Sequence, residues 1–244
     1  MKRLISFTIK SDFGMFKKPD VNDKIFITYN MIHKPYLLGI LGAIMGYGGH
    51  AQEKTVSDKQ IFADYYEKLK NLRVAIAPSD SNGGIFKKEF IIFNNTTNGQ
   101  IANIAEQTLI NPAYRIYIEL DDKIGLIDKL KNHEAVYPPY MGKNEFSLWW
   151  DDFKVHKNFK KIEQKEEFQV KTIIKKPENF VLKNSGYKER TTNYFYLFER
   201  LPIGFDEDLK QYLYHDFLYT NAVFKSRKSL ENIYECDEGV ICLF

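Results

Sequence analysis

An apolar stretch interrupted by glycines at helical spacing constrains this chain more than any other feature. Residues 36–47 read YLLGILGAIMGY. Apolar side chains fall all round a helical wheel there, so the spacing predicts a core helix from Tyr36 to Tyr47. Pro35 stands where a helix takes its first residue, with φ preset and no N–H to lose. Gly39, Gly42 and Gly46 fall three and four apart on one face. Each glycine weakens a helix by about 1 kcal/mol relative to alanine. Three on one face imply another backbone packed there at close range.

The chain reaches this helix through a strand and a loop. Ile5, Phe7 and Ile9 alternate with Leu4, Ser6, Thr8 and Lys10. That period of two predicts a strand with one well-buried face. Asp12-Phe13-Gly14 is a turn, its glycine free to take positive φ. Met15-Phe16-Lys17-Lys18-Pro19 reads as an exposed aromatic-basic tip, and Lys24 to Tyr29 as a short strand.

Beyond the helix, GYGGHAQEKT is a loop with no GxxxxGK[ST] spacing, and no GxGxxG occurs anywhere, which argues against a phosphate cradle. Ser57 with Gln60 forms a capping box for a helix whose stripe is Ile61, Phe62, Tyr65, Leu69 and Leu72. Arg73 to Ala77 is a strand, and 79–84 a polar turn. Phe86 to Asn94 and Ile101 to Ile110 flank a polar tip and read as a projecting hairpin. Tyr114 to Leu120 is a strand, and Asp122 to Asn132 a helix with Ile124, Ile127 and Leu130 inward. Tyr137-Pro138-Pro139-Tyr140-Met141-Gly142 is a rigid turn leading to the polar knuckle Lys143-Asn144-Glu145, then to Trp149-Trp150 as a packing anchor. After Asp151 the composition turns lysine- and glutamate-rich. Strands are expected at Phe168 to Ile174, Asn179 to Leu182, Tyr194 to Phe198 and Val240 to Phe244, with a helix near Asp206 to Tyr214. The reading is α+β: residues 1–150 as a ferredoxin-like or RRM-like domain with a hairpin insertion at about 85–110, and 151–244 as a smaller β-rich C-terminal domain.

The 244 residues, 44% of them hydrophobic, suffice for one large core or two small ones. A net charge of +3 makes no general field for nucleic acid, so basic character has to be local. It gathers at Lys17-Lys18, Lys87-Lys88, the run Lys154, Lys157, Lys160 and Lys161, then Lys171, Lys175 and Lys176, and Lys225, Arg227 and Lys228. Taken singly, each cluster reads as a solvated face. Two cysteines, Cys236 and Cys242, fit buried strand positions in a reducing compartment. The N-terminus runs straight into a strand with no leader pattern, and Leu37 to Tyr47 is too short to span a bilayer. The expectation is a cytoplasmic protein with no membrane partner.

None of the five histidines has the HExxH spacing, and the cysteines have no histidine at zinc-site spacing. No GxSxG occurs, and His215-Asp216 in YLYHDFLY reads as a structural pair. No cofactor or metal is expected. The Phe13 to Lys18 tip suits single-stranded RNA: lysines meet phosphates, glycine amides approach the backbone and aromatics stack on bases. The packing alternative for Phe13, Met15 and Phe16 stands beside it. Tyr29, His33 and Lys34, between the second strand and the helix, are placed along the same groove.

The words FGMFKKPD, HKPYLLGILGAIMGYGG, NPAYRIYIEL and YPPYMGKNEF, in this order, resemble the CRISPR-associated Cas-five family, RAMP-superfamily subunits of type I Cascade. The resemblance covers most of residues 1–150. It implies an RRM-like domain with an inserted thumb hairpin. It also implies a subunit that grips the 5′ handle of CRISPR RNA, caps the backbone filament of the complex and contacts its large subunit, meeting target DNA only indirectly. The RNA-binding residues it suggests, with the tip, are Ser11, Phe13, Gly14, Met15, Phe16, Lys17, Lys18, Tyr29, His33, Lys34, Lys87, Lys88, Phe90, Tyr140, Lys143 and Asn144. Phe90 and Ile92 are the candidate wedges of the hairpin. One branch of the family is a metal-independent ribonuclease using a tyrosine and an adjacent Lys-His pair. This chain has Lys131-Asn132-His133 and His156-Lys157 instead. The expectation is therefore a non-catalytic subunit of type I-B style, the alternative being an endoribonuclease that processes repeat RNA.

Overall fold

The computed structural model describes residues 2–21, 24–50, 62–97, 100–121, 125–163, 166–177, 193–226 and 230–244. In chain order the elements are β1 (Lys2–Lys10), β2 (Phe13–Gly14), β3 (Ile25–Phe26), α1 (Lys34–Met45), α2 (Asp64–Leu69), β4 (Arg73–Ser79), β5 (Lys88–Thr97), β6 (Gln100–Ile110) and β7 (Ala113–Asp121). There follow α3 (Leu126–Lys131), β8 (Trp149–His156), β9 (Lys160–Lys161), β10 (Glu166–Phe168), β11 (Ile174–Lys175), β12 (Tyr196–Phe205), β13 (Tyr212–Thr220), β14 (Phe224–Ser226), β15 (Ile233–Cys236) and β16 (Gly239–Cys242). The fold is mixed α+β and rich in strands; among the described residues it has two four-stranded sheets, two of three strands and one of two.

The main sheet, which holds β1, has the order β4-β7-β1-β8 with every pairing antiparallel. α1 and α2 lie in the connection from β1 to β4, and α3 in that from β7 to β8. Ile5, Phe7 and Ile9 of β1 join Ile116 and Ile118 of β7, Val74 and Ile76 of β4 and the apolar side of α1 in the main core. The other face is covered too: Leu4, Ala75 and Tyr117 pack on Tyr234, Cys236, Ile241 and Leu243. The expectation of one buried face is therefore corrected. Leu4 is fully buried because the β15–β16 hairpin folds back over 200 residues of sequence to lie on it, and Ser6 is buried against the His156 ring and the Arg115 guanidinium. The two cysteines are free and buried in β15 and β16. The boundary expected near 150 falls inside β8, which pairs with β1. Ile173, Leu201 and Phe217 share the main core. Trp150 is buried and donates its ring N–H to the Leu130 carbonyl at 2.8 Å, whereas Trp149 faces outward.

α1 runs from Lys34 with Pro35 in its first turn. A Cβ at Gly42 would lie 2.4 Å from Cβ of Tyr65 in α2, and one at Gly39 3.9 Å from the Tyr65 ring. The close neighbour is thus a tyrosine root rather than bare backbone. Gly46 ends the helix in the left-handed region, φ 78°, a conformation glycine adopts without strain. The hairpin expected at about 85–110 is β5 and β6, paired from Lys88↔Leu109 to Thr97↔Gln100.

The helix expected near Asp206 to Tyr214 is absent. Those residues form a turn and the start of β13, which pairs with β12 along its whole length. The Asp206 carboxylate accepts the N–H groups of Asp208 and Leu209, which fixes a turn where helical propensity pointed to a cap. Tyr194 to Phe198 is the opening of a longer strand, and Phe168 to Ile174 is broken into β10, an isolated bridge at Val170 and β11. Ser57, Gln60, Ile61, Ile124, the strand at 179–182, Arg227 and Lys228 lie outside the described residues.

Candidate nucleic-acid interface

A cleft of about 590 Å³ opens where three distant segments meet: the loop after β2, the base of the β5–β6 hairpin and β12. Its walls carry Lys18, Lys88 and Arg200, with Tyr29, Phe198 and Tyr214 between them. The Lys18 ammonium lies over the Tyr29 ring at 5.1 Å, and the Arg200 guanidinium over Tyr214 at 5.3 Å. Lys176 stands over the outer ring, Phe198, at 5.6 Å. Phe198 is 53% exposed and available for stacking.

Asn30 builds the floor. Its side chain donates to the Gly84 carbonyl at 2.7 Å and accepts from the Phe86 N–H at 3.1 Å, while its carbonyl accepts the Tyr114 hydroxyl at 2.6 Å. One buried amide thus ties the loop, the hairpin base and the main sheet together. Glu199 ties in β12, its carboxylate accepting the N–H groups of Asn30 and Met31 at 2.8 and 2.9 Å. Burial raises the Glu199 pKa, and these two N–H bonds oppose the rise. Burial lowers the Lys88 ammonium, with Lys18 pushing in the same direction and Glu199 against it. Three cations therefore share a rim with one exposed carboxylate, Asp20, while the buried carboxylate of Glu199 is occupied by backbone donors. Such a rim can hold phosphate oxygens, and the rings beside it can stack on bases.

The structure separates the sequence-derived residues into two groups. Lys18, Tyr29 and Lys88 meet in this cleft. The expected exposed tip is corrected: Met15 and Phe16 are 3% and 0% exposed, and Phe16 packs on Tyr36 and Tyr114. The reason is that residues 13–16 are clamped from both sides. Gly14 pairs with Leu109, the Met15 N–H bonds to Met141 and the Phe16 N–H bonds to Thr28. Ser11 is buried and donates to the carbonyls of Phe13 and Ser147. His33 is buried within a box of tyrosines, with both ring nitrogens unpartnered. Lys34 donates to the Phe244 carbonyl at 3.3 Å, and burial pushes it down to about 8. These side chains support the groove rather than line it.

The remainder lie apart. Phe13 is exposed beside Phe146, and Lys17 sits 3.5 Å over the Phe26 ring. Lys87 pairs with Glu89. Phe90 and Ile92 stand on one face of β5, 58% and 70% exposed. Lys143 is committed to Glu106 and Glu145 at 3.1 Å each, and Asn144 is exposed on the same knuckle. Tyr140 lines a second cleft, along α1. Phe198, Arg200 and Tyr214 escaped the sequence reading because they come from β12 and β13, about 170 residues beyond Tyr29. The signal present was the period-two placement of Phe198 with Arg200 and of Tyr212 with Tyr214.

No family model and no curated protein matches the sequence. Several solved structures are similar in shape. One is titled as a CRISPR RNA-guided surveillance complex, at 10% identity over 92% of each chain with a TM-score of 0.49. Another is a CRISPR protein from Archaeoglobus fulgidus, at 12% identity over 99% of this chain and 98% of that one, TM-score 0.48. A third is a type III-B Cmr-beta complex bound to cognate target RNA and AMPPnP, at 10% identity over 91% and 86%, TM-score 0.46. These TM-scores lie below one half, and the chain is assigned to no family on them.

Proposed function

We propose that this chain is a non-catalytic, RNA-gripping subunit of a CRISPR effector complex. The observation that carries the reading is the cleft in which Lys18, Lys88 and Arg200 surround Tyr29, Phe198 and Tyr214. The class is a ferredoxin-like RAMP protein: the antiparallel order β4-β7-β1-β8, with helices in its two crossovers, is what a split β-α-β-β-α-β unit produces. On this reading the β5–β6 hairpin serves as the thumb, which its long antiparallel pairing supports. The particular protein, on the sequence words quoted above, is a Cas-five subunit of type I-B style, cytoplasmic, holding the 5′ handle of CRISPR RNA between the backbone filament and the large subunit.

The non-catalytic reading has its own support. His156 is buried, with Nε2 at 2.8 Å from the Ser6 hydroxyl, and His133 stacks on Trp150. Neither stands in the cleft.

The test is affinity for a 5′-handle RNA across a salt series, using the full chain. Each phosphate contact on a single strand contributes about 0.7 to the slope of log affinity against log salt. Replacing Lys18, Lys88 and Arg200 together by alanine is expected to weaken binding and flatten that slope by about 2. An unchanged slope would remove the cleft as the phosphate site. Repeat RNA is expected to stay intact when incubated with the protein in chelator; cleavage there would favour the endoribonuclease.

A further inference from the structure

The second cleft has a different chemistry from the first. It also encloses about 590 Å³, and its walls include Tyr36, Tyr47, Tyr65, Tyr137, Tyr140 and Tyr212. Along α1 its floor is formed at Gly39 and Ala43, which have little or no side chain to fill the slot. Gly142 closes one end against the backbone: a Cβ there would fall 1.8 Å from the Met15 carbonyl oxygen, so no other residue fits. Tyr137 and Tyr140 expose 49% and 44% of their surface. Among the described residues no aspartate or glutamate lines the cleft. The Lys68 ammonium stands 4.3 Å over the Tyr47 ring and is paired with the Asp64 carboxylate at 2.8 Å.

We infer that this cleft takes one unstacked nucleobase of the strand whose phosphates lie in the first cleft. The inference rests on the RNA-binding reading above and adds where a base goes. Flat aromatic walls with hydroxyl edges match a base's π-faces and its hydrogen-bonding rim. A volume in the range of small-ligand pockets accommodates it. A described lining without carboxylates spares the flanking phosphates direct repulsion. Proximity to the first cleft supplies a further reason. Only a layer of packed rings separates the two: the buried His33 ring lies 5.4 Å from Tyr29 of the first cleft, and 4.7 and 5.5 Å from Tyr36 and Tyr212 of the second. Tyr212 and Tyr214, one from each cleft, have ring centroids 6.1 Å apart. A tyrosine groove also suits an extended proline-rich peptide. Such ligands are commonly anchored by a basic residue, and among the described residues no carboxylate lines this cleft to receive one.

The experiment uses the full chain and a short oligouridine carrying one 2-aminopurine, beside the same oligomer with an abasic site at that position. Wild type is expected to quench the 2-aminopurine and to bind the base-bearing oligomer about 5- to 150-fold more tightly than the abasic one. Tyr137→Ala with Tyr140→Ala, both at exposed positions, is expected to lose quenching and discrimination while keeping the salt slope. Tyr137→Phe with Tyr140→Phe is expected to restore both, since the faces remain. Quenching and discrimination that survive in the alanine variant would overturn the proposal, as would a wild type that binds both oligomers equally. In either case salt-dependent binding that Lys88→Ala with Arg200→Ala weakens would leave the RNA reading standing. Wild type that binds neither oligomer but captures oligoproline would overturn both readings and mark a peptide groove.

Discussion

His33 shows how one buried side chain ties stability to pH. Its ring is 1% exposed, neither nitrogen has a hydrogen-bond partner, and burial lowers its pKa from 6.5 to about 3. The rings of Tyr29, Tyr36 and Tyr212 enclose it. In the unfolded chain the imidazole takes a proton near pH 6.5, whereas the folded protein resists until about pH 3. Between those values the unfolded state binds more protons, so stability falls as the pH falls, by up to about 1.4 kcal/mol per pH unit. Urea unfolding at neutral and mildly acidic pH is expected to show a smaller loss in His33→Leu than in wild type. Equal losses would mean that the folded protein accommodates the charged ring. The sequence reading took His33 as a contact residue of the groove; the structure buries it, and the enclosing ring that no local pattern could supply is Tyr212, far away in the chain.

At the level of elements, α1 illustrates two glycines of opposite consequence. Gly42 faces the root of Tyr65 at a distance no Cβ tolerates, whereas Gly39 leaves room for an ordinary contact. Gly42→Ala is therefore expected to overpack the α1–α2 contact and destabilise by about 1–3 kcal/mol. Gly39→Ala is expected to be neutral or to stabilise by up to about 1 kcal/mol through helix propensity. Thermal melts of the two variants check this. Equal melting points would mean that α2 shifts freely against α1. The helix and its glycine spacing were legible because a 3.6-residue period survives in sequence. The identity of the packed neighbour was not, since Tyr65 could be placed against it only by the turn after Gly46.

At the level of the whole molecule, the β15–β16 hairpin is fastened to the main sheet by Glu238. Arg115 donates to both carboxylate oxygens, at 3.0 and 2.6 Å, Tyr117 at 2.7 Å and Lys154 at 2.9 Å. Burial alone would raise this carboxyl; the donors, Arg115 foremost, outweigh it and hold it at about 2, against 4.5 unpaired. A depressed carboxyl contributes stability that is full above pH 4.5 and lost as the pH falls toward 2. The contribution is on the order of 2 kcal/mol after allowance for solvent screening. Glu238→Gln is expected to lose it and to flatten the acid limb of the stability curve. A wild-type acid limb in that variant would show the hairpin to be held by its apolar contacts alone.

The local periods of this chain were enough to specify most of its strands and α1, because a buried face imposes its repeat on neighbouring residues. They also indicated the hairpin and the basic pairs at Lys17-Lys18 and Lys87-Lys88. They failed where a partner from far along the chain changes the outcome. Helical spacing at Asp206 to Tyr214 yielded to pairing with β12, and an aromatic tip at Met15-Phe16 was drawn inward by Thr28, Tyr114 and Met141. The candidate interface belongs to the same class. Lys18, Lys88 and Arg200 become one rim only when Asn30 and Glu199 join their three segments, and no local pattern encodes hydrogen bonds that span 54, 84 and 169 residues.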